Sequence, residues 1–270
     1  MSSNNFKAYF GFRIEPFANT LQTKHLMELP SMLAVKSRLD YCLDIGGCLV
    51  VTGEVGAGKS TSLRWSTAQY HPSEVLTLNA IAGSGSFLEV YRQLAIELDI
   101  TVKISSRSRL VQLIKSTIAD IARTQKKKIL IVFDEANLLR MDTLQELHTL
   151  LIFDQDSRNF ISLVLCGQSQ LRDKLGQRTV SPLASRVIAH THLGNLSLPQ
   201  MEEYVNHHMK VAGTASEIFE KNAITAIHQG SAGILRRANS LARGGLVAAA
   251  REKKNTVTAE HIRIAASELL

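Results

Sequence analysis

Residues 53–60 read Gly-Glu-Val-Gly-Ala-Gly-Lys-Ser and match the phosphate-binding pattern G-x-x-x-x-G-K-[ST]. Gly53 and Gly58 are expected to let the backbone turn tightly, so that its N–H groups surround a polyphosphate. The short β-rich run 48–52 precedes the motif, and the stretch 60–69, which lacks Gly and Pro, can begin a helix after it. This strand–loop–helix context predicts a P-loop. A Gly-rich turn with an incidental lysine is the alternative.

A second motif supplies two acids. Asp134 and Glu135 end the apolar run Ile129–Phe133, 75 residues after Lys59. We expect this strand to lie beside the P-loop strand, with Asp134 holding Mg²⁺ together with the Ser60 hydroxyl and Glu135 orienting the attacking water. Two acids with different tasks predict hydrolysis of a nucleotide, and a solvated strand end is the alternative. The predicted residues for binding ATP are Gly53, Glu54, Val55, Gly56, Ala57, Gly58, Lys59, Ser60, Thr61 and Asp134.

Apolar runs alternate with amphipathic stretches from about residue 48 to about residue 195. The alternation predicts an α/β fold, a P-loop three-layer α/β/α parallel sheet. The predicted strands are Cys48–Thr52, Val75–Asn79, Ile129–Phe133 and Ile161–Cys166. The predicted helices of this part are Ser60–Tyr70, Phe87–Leu98, Ser108–Arg123 and Asp142–Phe153.

Strand signals stop after about residue 197, and four helical patterns follow. A helix is predicted to start at Ser197, which is followed by an early Pro and two acids. The other three are predicted at Ser216–His228, Gly233–Arg251 and Thr258–Leu270. The sequence therefore predicts a nucleotide-binding domain over 1–196 and a small all-helical C-terminal lid domain over 197–270.

Composition fits a soluble globular protein, with 45% hydrophobic residues and a formal net charge of +7. Cys42, Cys48 and Cys166 form no CxxC pair, so buried free thiols are favoured over disulfides or a metal site. The adjacent pair His207 and His208 is interpreted as solvated in preference to metal-binding. No signal-peptide core and no apolar run near 18 residues occurs, which predicts a cytoplasmic protein without a membrane span.

Three further polar residues are candidates for contacts with the transferred phosphate. Gln168 follows the strand Ile161–Cys166 and is expected to reach the same sheet edge, where it could bind the γ-phosphate or the water. Arg186 lies near the end of the α/β domain, and Arg236 opens a helix of the second domain. A well-placed arginine accelerates phosphoryl transfer by about 10³–10⁵-fold. A polar turn residue, for Gln168, and surface charges, for the arginines, are the alternatives.

The whole arrangement resembles an AAA+ ATPase. GEVGAGKS resembles Walker A, ILIVFDE resembles Walker B, Gln168 resembles sensor 1, and Gly-Ile-Leu-Arg236 resembles the sensor 2 motif GxxR. More narrowly, the chain is similar to the ExeA (GspA)-type group of ATPases over nearly its entire length. The segments that carry this narrower resemblance are 9–17, 50–61, 164–171, 183–187, 198–204 and 233–241.

This resemblance implies a shared active site. Arg186 is implied to act in trans as a finger inserted into a neighbouring subunit, with Arg178 as a nearby alternative. Arg236 is implied to sense the γ-phosphate in cis, with Arg237 as its alternative. A finger supplied in trans implies a homo-oligomer, either a ring or a helical filament.

The resemblance leaves the biological process open. Secretion-type ExeA proteins join such an ATPase to a membrane span and a peptidoglycan-binding region. Stand-alone relatives of the TniB, TnsC, IstB and MuB kind assemble on duplex DNA with ATP and deliver target DNA to a transposase. Short length, no span and a charge of +7 favour the second role. An assembly factor for a secretion or cell-envelope machine, acting on protein partners, is the main alternative. A nucleotide-switched adaptor with little turnover is another.

The candidate DNA contacts lie in a Ser/Arg-rich stretch after the second predicted strand. They are Lys103, Arg107 and Arg109. A target selector must accept many sequences, so contacts to phosphates are expected, largely without sequence specificity. A solvated loop and helix start is the alternative.

Overall fold

One parallel sheet of five strands lies in the computed structural model, which describes residues 5–18, 20–83, 86–100, 106–153, 160–214 and 217–268. The strands are β1 (Gly47–Gly53), β2 (Val75–Ile81), β3 (Lys128–Asp134), β4 (Ile161–Gly167) and β5 (Val187–Leu193). The four predicted strands are confirmed to within two residues at either end. β5 was not predicted.

The strand order is β2-β3-β4-β1-β5. The expectation that the strand carrying Asp134 lies beside the P-loop strand is therefore wrong, because β4 pairs with β1 on one side and with β3 on the other. All seven residues of β4 are buried, as expected for a central strand of a sheet covered on both faces. In β5, at the sheet edge, Ile188, His190 and His192 are exposed.

Helices cover both faces of this sheet, so the predicted three-layer fold is confirmed. Val50, Ile131 and Leu165 belong to a buried cluster that includes side chains of α4 (Phe87–Glu97) and α5 (Arg107–Thr124). On the opposite face, Ser162 of β4 donates a hydrogen bond to the Cys42 carbonyl of α2 at 2.8 Å. The helices of this part are α2 (Pro30–Ile45), α3 (Lys59–Thr67), α4 (Phe87–Glu97), α5 (Arg107–Thr124), α6 (Met141–Leu147), α7 (Gln170–Leu175) and α8 (Ser181–Ala184), with α1 (Asn5–Tyr9) preceding them.

The predicted helix over 142–153 is shorter than expected, because α6 ends at Leu147 and a 3₁₀ turn continues from His148 to Leu151. The helix α2 was missed by the sequence analysis. None of the helices in the described ranges is both long and apolar enough to cross a bilayer. Each of the three cysteines lies in a described range and is a buried free thiol, as predicted.

Contacts divide the chain into two compact units. One consists of 29–55 and 59–193 and contains the sheet, and the other consists of 1–28, 56–58 and 194–270. The second unit contains four further helices, α9 (Leu198–Ala212), α10 (Lys221–Ser231), α11 (Leu235–Arg251) and α12 (Ala259–Glu268). The boundary between 196 and 197 stays a prediction.

The start of α9 is built as its sequence suggests. The Gln200 side chain accepts a hydrogen bond from the Ser197 backbone N–H at 2.9 Å, which closes a capping box. The start of α10 differs from the prediction at Ser216, which lies outside the described residues. Phe219 instead forms a parallel bridge with Val257, so the helix begins only at Lys221.

Candidate functional site

The P-loop joins β1 to α3. Gly56 and Gly58 have φ values of +86° and +93°, in the region that only glycine adopts readily. Gly53 is the last residue of β1 and has no positive φ, so the expectation that it makes the tight turn is wrong. The turning is done at the two inner glycines, and α3 starts immediately after them at Lys59.

Lys59 is held inside the loop. Its side chain is only 6% exposed, and its ammonium donates to the carbonyl oxygens of Gly53 and Glu54, at 3.0 Å each. An ammonium has three N–H donors, so these two bonds leave one donor for another acceptor. The cation is therefore held by two carbonyl oxygens at the end of β1 and the start of the loop.

Ser60 and Asp134 meet although they are 74 residues apart. The Ser60 hydroxyl donates to the Asp134 carboxylate at 2.6 Å, and the other carboxylate oxygen accepts the Glu135 backbone N–H at 2.9 Å. A hydroxyl and a carboxylate are hard oxygen donors of the kind that Mg²⁺ uses when substrate phosphates complete its shell. The donor set therefore fits this metal.

Glu135 adopts a left-handed backbone conformation, with φ +53° and ψ +36°. Such a conformation in a residue with a side chain costs roughly 1–2 kcal/mol and is common at functional sites. The Glu135 carbonyl accepts the Leu138 N–H at 2.8 Å, so the chain turns directly after the two acids. The extended backbone of β3 therefore ends at Asp134, and a 3₁₀ turn follows Glu135.

Gln168 follows β4 and lies half-buried at the carboxyl edge of the sheet. Its backbone N–H donates to Oδ1 of Asn137 at 3.0 Å, and Asn137 itself is only 5% exposed. Since β4 pairs with β3, the sheet brings Gln168 to the edge that carries Asp134 and Glu135. Asn137 was missed by the sequence analysis, although a polar residue directly after Asp-Glu-Ala was a usable signal.

Three more polar residues, in the P-loop strand and in β5 beside it, were also missed. The Thr52 hydroxyl, one residue before the loop, hydrogen-bonds Nε2 of His190 at 2.9 Å and Nδ1 of His192 at 3.1 Å. Burial lowers the pKa of His190, and the nearby Arg172 adds to this effect. On β4, burial raises the pKa of Cys166 well above its ordinary value, and the neighbouring Asp134 charge raises it further.

Arg186 lies at the other end of the sheet. Its carbonyl accepts the Cys48 N–H at 2.8 Å, at the start of β1, whereas the P-loop follows the end of that strand at Gly53. Gly53 is the fifth residue after Cys48, which corresponds to roughly 17 Å at about 3.3 Å per residue. Arg178, the alternative, is exposed in a 3₁₀ turn.

Arg236 is exposed in the first turn of α11. Its backbone N–H donates to the Gly56 carbonyl at 3.1 Å, within the unit that contains both residues. A Cβ on Gly56 would lie 2.7 Å from the Arg236 Cβ, so only glycine permits this approach. Gly233, the first residue of the GxxR motif, has φ +75°, and a Cβ there would lie 2.3 Å from the Leu196 carbonyl oxygen. Arg237 is also exposed.

The predicted DNA contacts lie in different environments. Lys103 lies outside the described residues. Arg107 forms an ion pair with Glu146, and its guanidinium lies 4.0 Å from the ring centre of Phe87. Arg109 is exposed on the first turn of α5. The charge of Arg107 is thus offset within the protein.

Comparison with known proteins gives both a domain family and a relative. Residues 44–175 match the AAA domain family. Over 266 residues the chain is 29% identical to general secretion pathway protein A of Aeromonas hydrophila, in an alignment that covers 98% of this chain and 48% of that protein. The chain therefore spans about half the length of this curated relative.

Solved structures share the fold. Cdc6p of Pyrobaculum aerophilum is similar with a TM-score of 0.75 and 18% identity, covering 94% of this chain and 70% of that chain. The Aeropyrum pernix ORC1 protein, solved in complex with DNA, gives 0.69 and 17%, covering 97% and 69%. The Thermotoga maritima RuvB Holliday junction branch migration motor gives 0.54 and 16%, covering 88% and 68%. At these identities the likeness is one of fold.

Proposed function

We propose that the protein hydrolyses ATP with Mg²⁺, a proposal that the match of residues 44–175 to the AAA domain family supports. The observation that carries this proposal is the 2.6 Å hydrogen bond between Ser60 and Asp134. It joins the P-loop helix to the end of β3, and Glu135 follows immediately. A protein that binds a nucleotide without hydrolysing it would need Ser60 and Asp134 but would not need Glu135.

Each residue has a role in this proposal. Lys59 donates to the outer phosphates, and Ser60 and Asp134 hold Mg²⁺, which supplies positive charge at the phosphate oxygens when bound. Glu135 accepts a proton from the attacking water and orients it. Gln168 donates to the γ-phosphate or to that water. Arg236 senses the γ-phosphate, and its backbone bond to Gly56 at the P-loop tip supports that role.

Steady-state hydrolysis by two variants tests the proposal. Lys59→Ala should lose ATP binding, whereas Glu135→Gln should keep it and lose about 10²–10⁴-fold in kcat, the usual contribution of a general base. Binding of a fluorescent ATP analogue separates the two defects. Normal hydrolysis by Glu135→Gln would refute the assignment of the base.

Self-assembly is the second part of the proposal. Arg186 is roughly 17 Å from the P-loop along β1, which is farther than an arginine side chain reaches. This distance supports a role for Arg186 as a finger that enters the site of a neighbouring subunit in a ring or a helical filament. Arg186→Ala and Lys59→Ala should each be inactive alone. Mixing them should restore activity where an intact Arg186 meets an intact P-loop. A mixture with no activity, or full activity of Arg186→Ala alone, would contradict action in trans.

For the biological role we favour an oligomer that binds duplex DNA with ATP and selects targets for a transposase. The net charge of +7 supports it, since repeated subunits turn weak phosphate contacts into avidity. Of the three candidate contacts, Arg109 gives the sharpest test because it is exposed, whereas Arg107 is paired with Glu146.

An ATPase that assembles a secretion or cell-envelope machine is the second candidate. The 29% identity to general secretion pathway protein A favours it. In that role the partners are proteins and binding to DNA is not required. The shared ATPase chemistry is the same in both roles, so only the ligand of the assembled oligomer distinguishes them.

Binding to a random-sequence duplex, measured across a salt series with a non-hydrolysable ATP analogue, distinguishes the two. The DNA role predicts binding that needs the analogue and weakens with salt, with a slope that falls by about one in Arg109→Ala. Lys128→Ala is the matched control, because Lys128 pairs with Asp44 at 2.7 Å. Absence of analogue-dependent binding would leave the assembly factor as the proposal.

A further inference from the structure

Asn137 lies between the two polar segments of the candidate site. It is the third residue after Asp134, yet its side chain is only 5% exposed. Its Oδ1 accepts the backbone N–H of Gln168 at 3.0 Å. A single buried amide thus connects the turn after β3 to the turn after β4.

Gly167 makes this approach possible. A Cβ on Gly167 would lie 2.6 Å from Oδ1 and 2.9 Å from the backbone N of Asn137, distances at which something must shift. Only a residue without a side chain lets β4 end so close to the turn. The contact therefore depends on residues from both segments.

Lys174 also holds the turn after β3. Its ammonium donates to the carbonyl oxygens of Asn137, at 2.6 Å, and Leu139, at 2.8 Å. Lys174 belongs to α7, which begins two residues after Gln168, and the Gln168 carbonyl accepts the Leu171 N–H at 2.9 Å. All three bonds between the two segments therefore have their donor in the segment after β4 and their acceptor in the turn after β3.

We propose that Asn137 is a positioning residue that holds Glu135 and Gln168 in register across the end of the sheet. Glu135, two residues before it, keeps its left-handed conformation in the turn that Asn137 anchors, and Gln168 is held through its own N–H. The kinetic side of this proposal rests on the proposed ATPase function. The structural side, protection of the Gln168 N–H, does not.

Two variants separate positioning from folding. Asn137→Ala removes the acceptor and should lower kcat about 10- to 100-fold with KM for ATP within about threefold, since a misplacement on the order of 1 Å can cost about 10²-fold. Asn137→Asp keeps a side-chain oxygen that can accept the Gln168 N–H and should keep kcat within about threefold. Leu138→Ala, at a neighbouring side chain that is 52% exposed, is the matched control and should be unchanged.

Hydrogen exchange of the Gln168 amide, measured on the same proteins, makes the test independent of turnover. Exchange should accelerate about 10-fold or more in Asn137→Ala and stay near wild type in Asn137→Asp and Leu138→Ala. If wild type does not hydrolyse ATP while exchange behaves as expected, the proposed function fails and the positioning role stands. Unchanged exchange in Asn137→Ala would overturn the proposal, as would equal losses of kcat in the Ala and Asp variants.

Discussion

His208 should make the helical unit lose stability in mild acid. The side chain is 3% exposed, its ring stacks on Phe17 with centres 4.6 Å apart, and it meets Tyr204 edge-on at 4.5 Å. The Phe17 backbone N–H donates to Nδ1 at 3.3 Å, so Nδ1 is an acceptor and the ring proton sits on Nε2. Protonation would turn that acceptor into a second donor facing the same N–H.

Burial, aided by the charge of His207, lowers the pKa of His208 from 6.5 to about 3. The folded state therefore keeps this ring neutral, while the unfolded chain takes up a proton as the pH falls through 6.5. The contribution of the neutral His208 ring to the unfolding free energy is fully present above about pH 6.5 and is lost as the pH falls toward the folded-state pKa of about 3. At about 1.4 kcal/mol per pH unit, the loss between about pH 7 and about pH 5 is about 2 kcal/mol of unfolding free energy.

Urea unfolding at several pH values measures this loss by comparison with His208→Gln, which keeps an acceptor and cannot be protonated. The variant should be less stable at about pH 7, and its deficit should shrink by about 2 kcal/mol by about pH 5. His207→Gln is the matched control, since His207 is half-buried. A deficit that stays constant over this range would refute the reasoning, as would an NMR spectrum that shows His208 protonated at about pH 5.

Two further predictions concern packing. Gly233→Ala should cost more than about 3 kcal/mol of unfolding free energy, because its Cβ would lie 2.3 Å from the Leu196 carbonyl oxygen and the backbone is already strained at φ +75°. Gly11→Ala is the control for the backbone strain alone, since φ is +67° and nothing lies within 4 Å of the added Cβ, and it should lose about 1–2 kcal/mol. Equal losses in the two variants would contradict the predicted clash at Gly233. The thiols of Cys42, Cys48 and Cys166 should resist a disulfide reagent in the native state at neutral pH and should react together on unfolding. The reason is that burial raises the pKa of each thiol, to about 11 for Cys42, and so suppresses the reactive thiolate. Rapid reaction of any of the three in the native protein would contradict their burial.

The strands of the sheet show which sequence patterns were sufficient to predict secondary structure. β1, β3 and β4 are continuous apolar runs because helices cover both of their faces, and such runs are visible without a structure. β5 was missed because it lies at the sheet edge and its sequence, Val-Ile-Ala-His-Thr-His-Leu, contains three consecutive polar residues and so forms no continuous apolar run. α2 was missed because it precedes the P-loop, where the alternation of strands and helices had not yet begun.

Single residues were harder to predict than segments. The interpretation of His208 as solvated is wrong, because one face of α9 is buried within its unit and the pair His207 and His208 straddles the boundary of that face. The conformation of Glu135 and the burial of Asn137 depend on a turn whose partners, Gly167 and Lys174, are some 30 or more residues away along the chain. No local pattern encodes such contacts.

The strand order has a consequence for the candidate site that the motifs alone do not give. Since β4 lies between β1 and β3, the hydrogen bond between Ser60, at the start of α3, and Asp134, at the end of β3, joins two segments whose strands are not neighbours. Gln168, the residue that follows this central strand, therefore lies between the end of the P-loop strand and the end of the strand that carries the two acids. On the β3 side, the hydrogen bond from the Gln168 N–H to Asn137 is the direct connection, which is why its loss should appear in turnover and not in affinity for ATP.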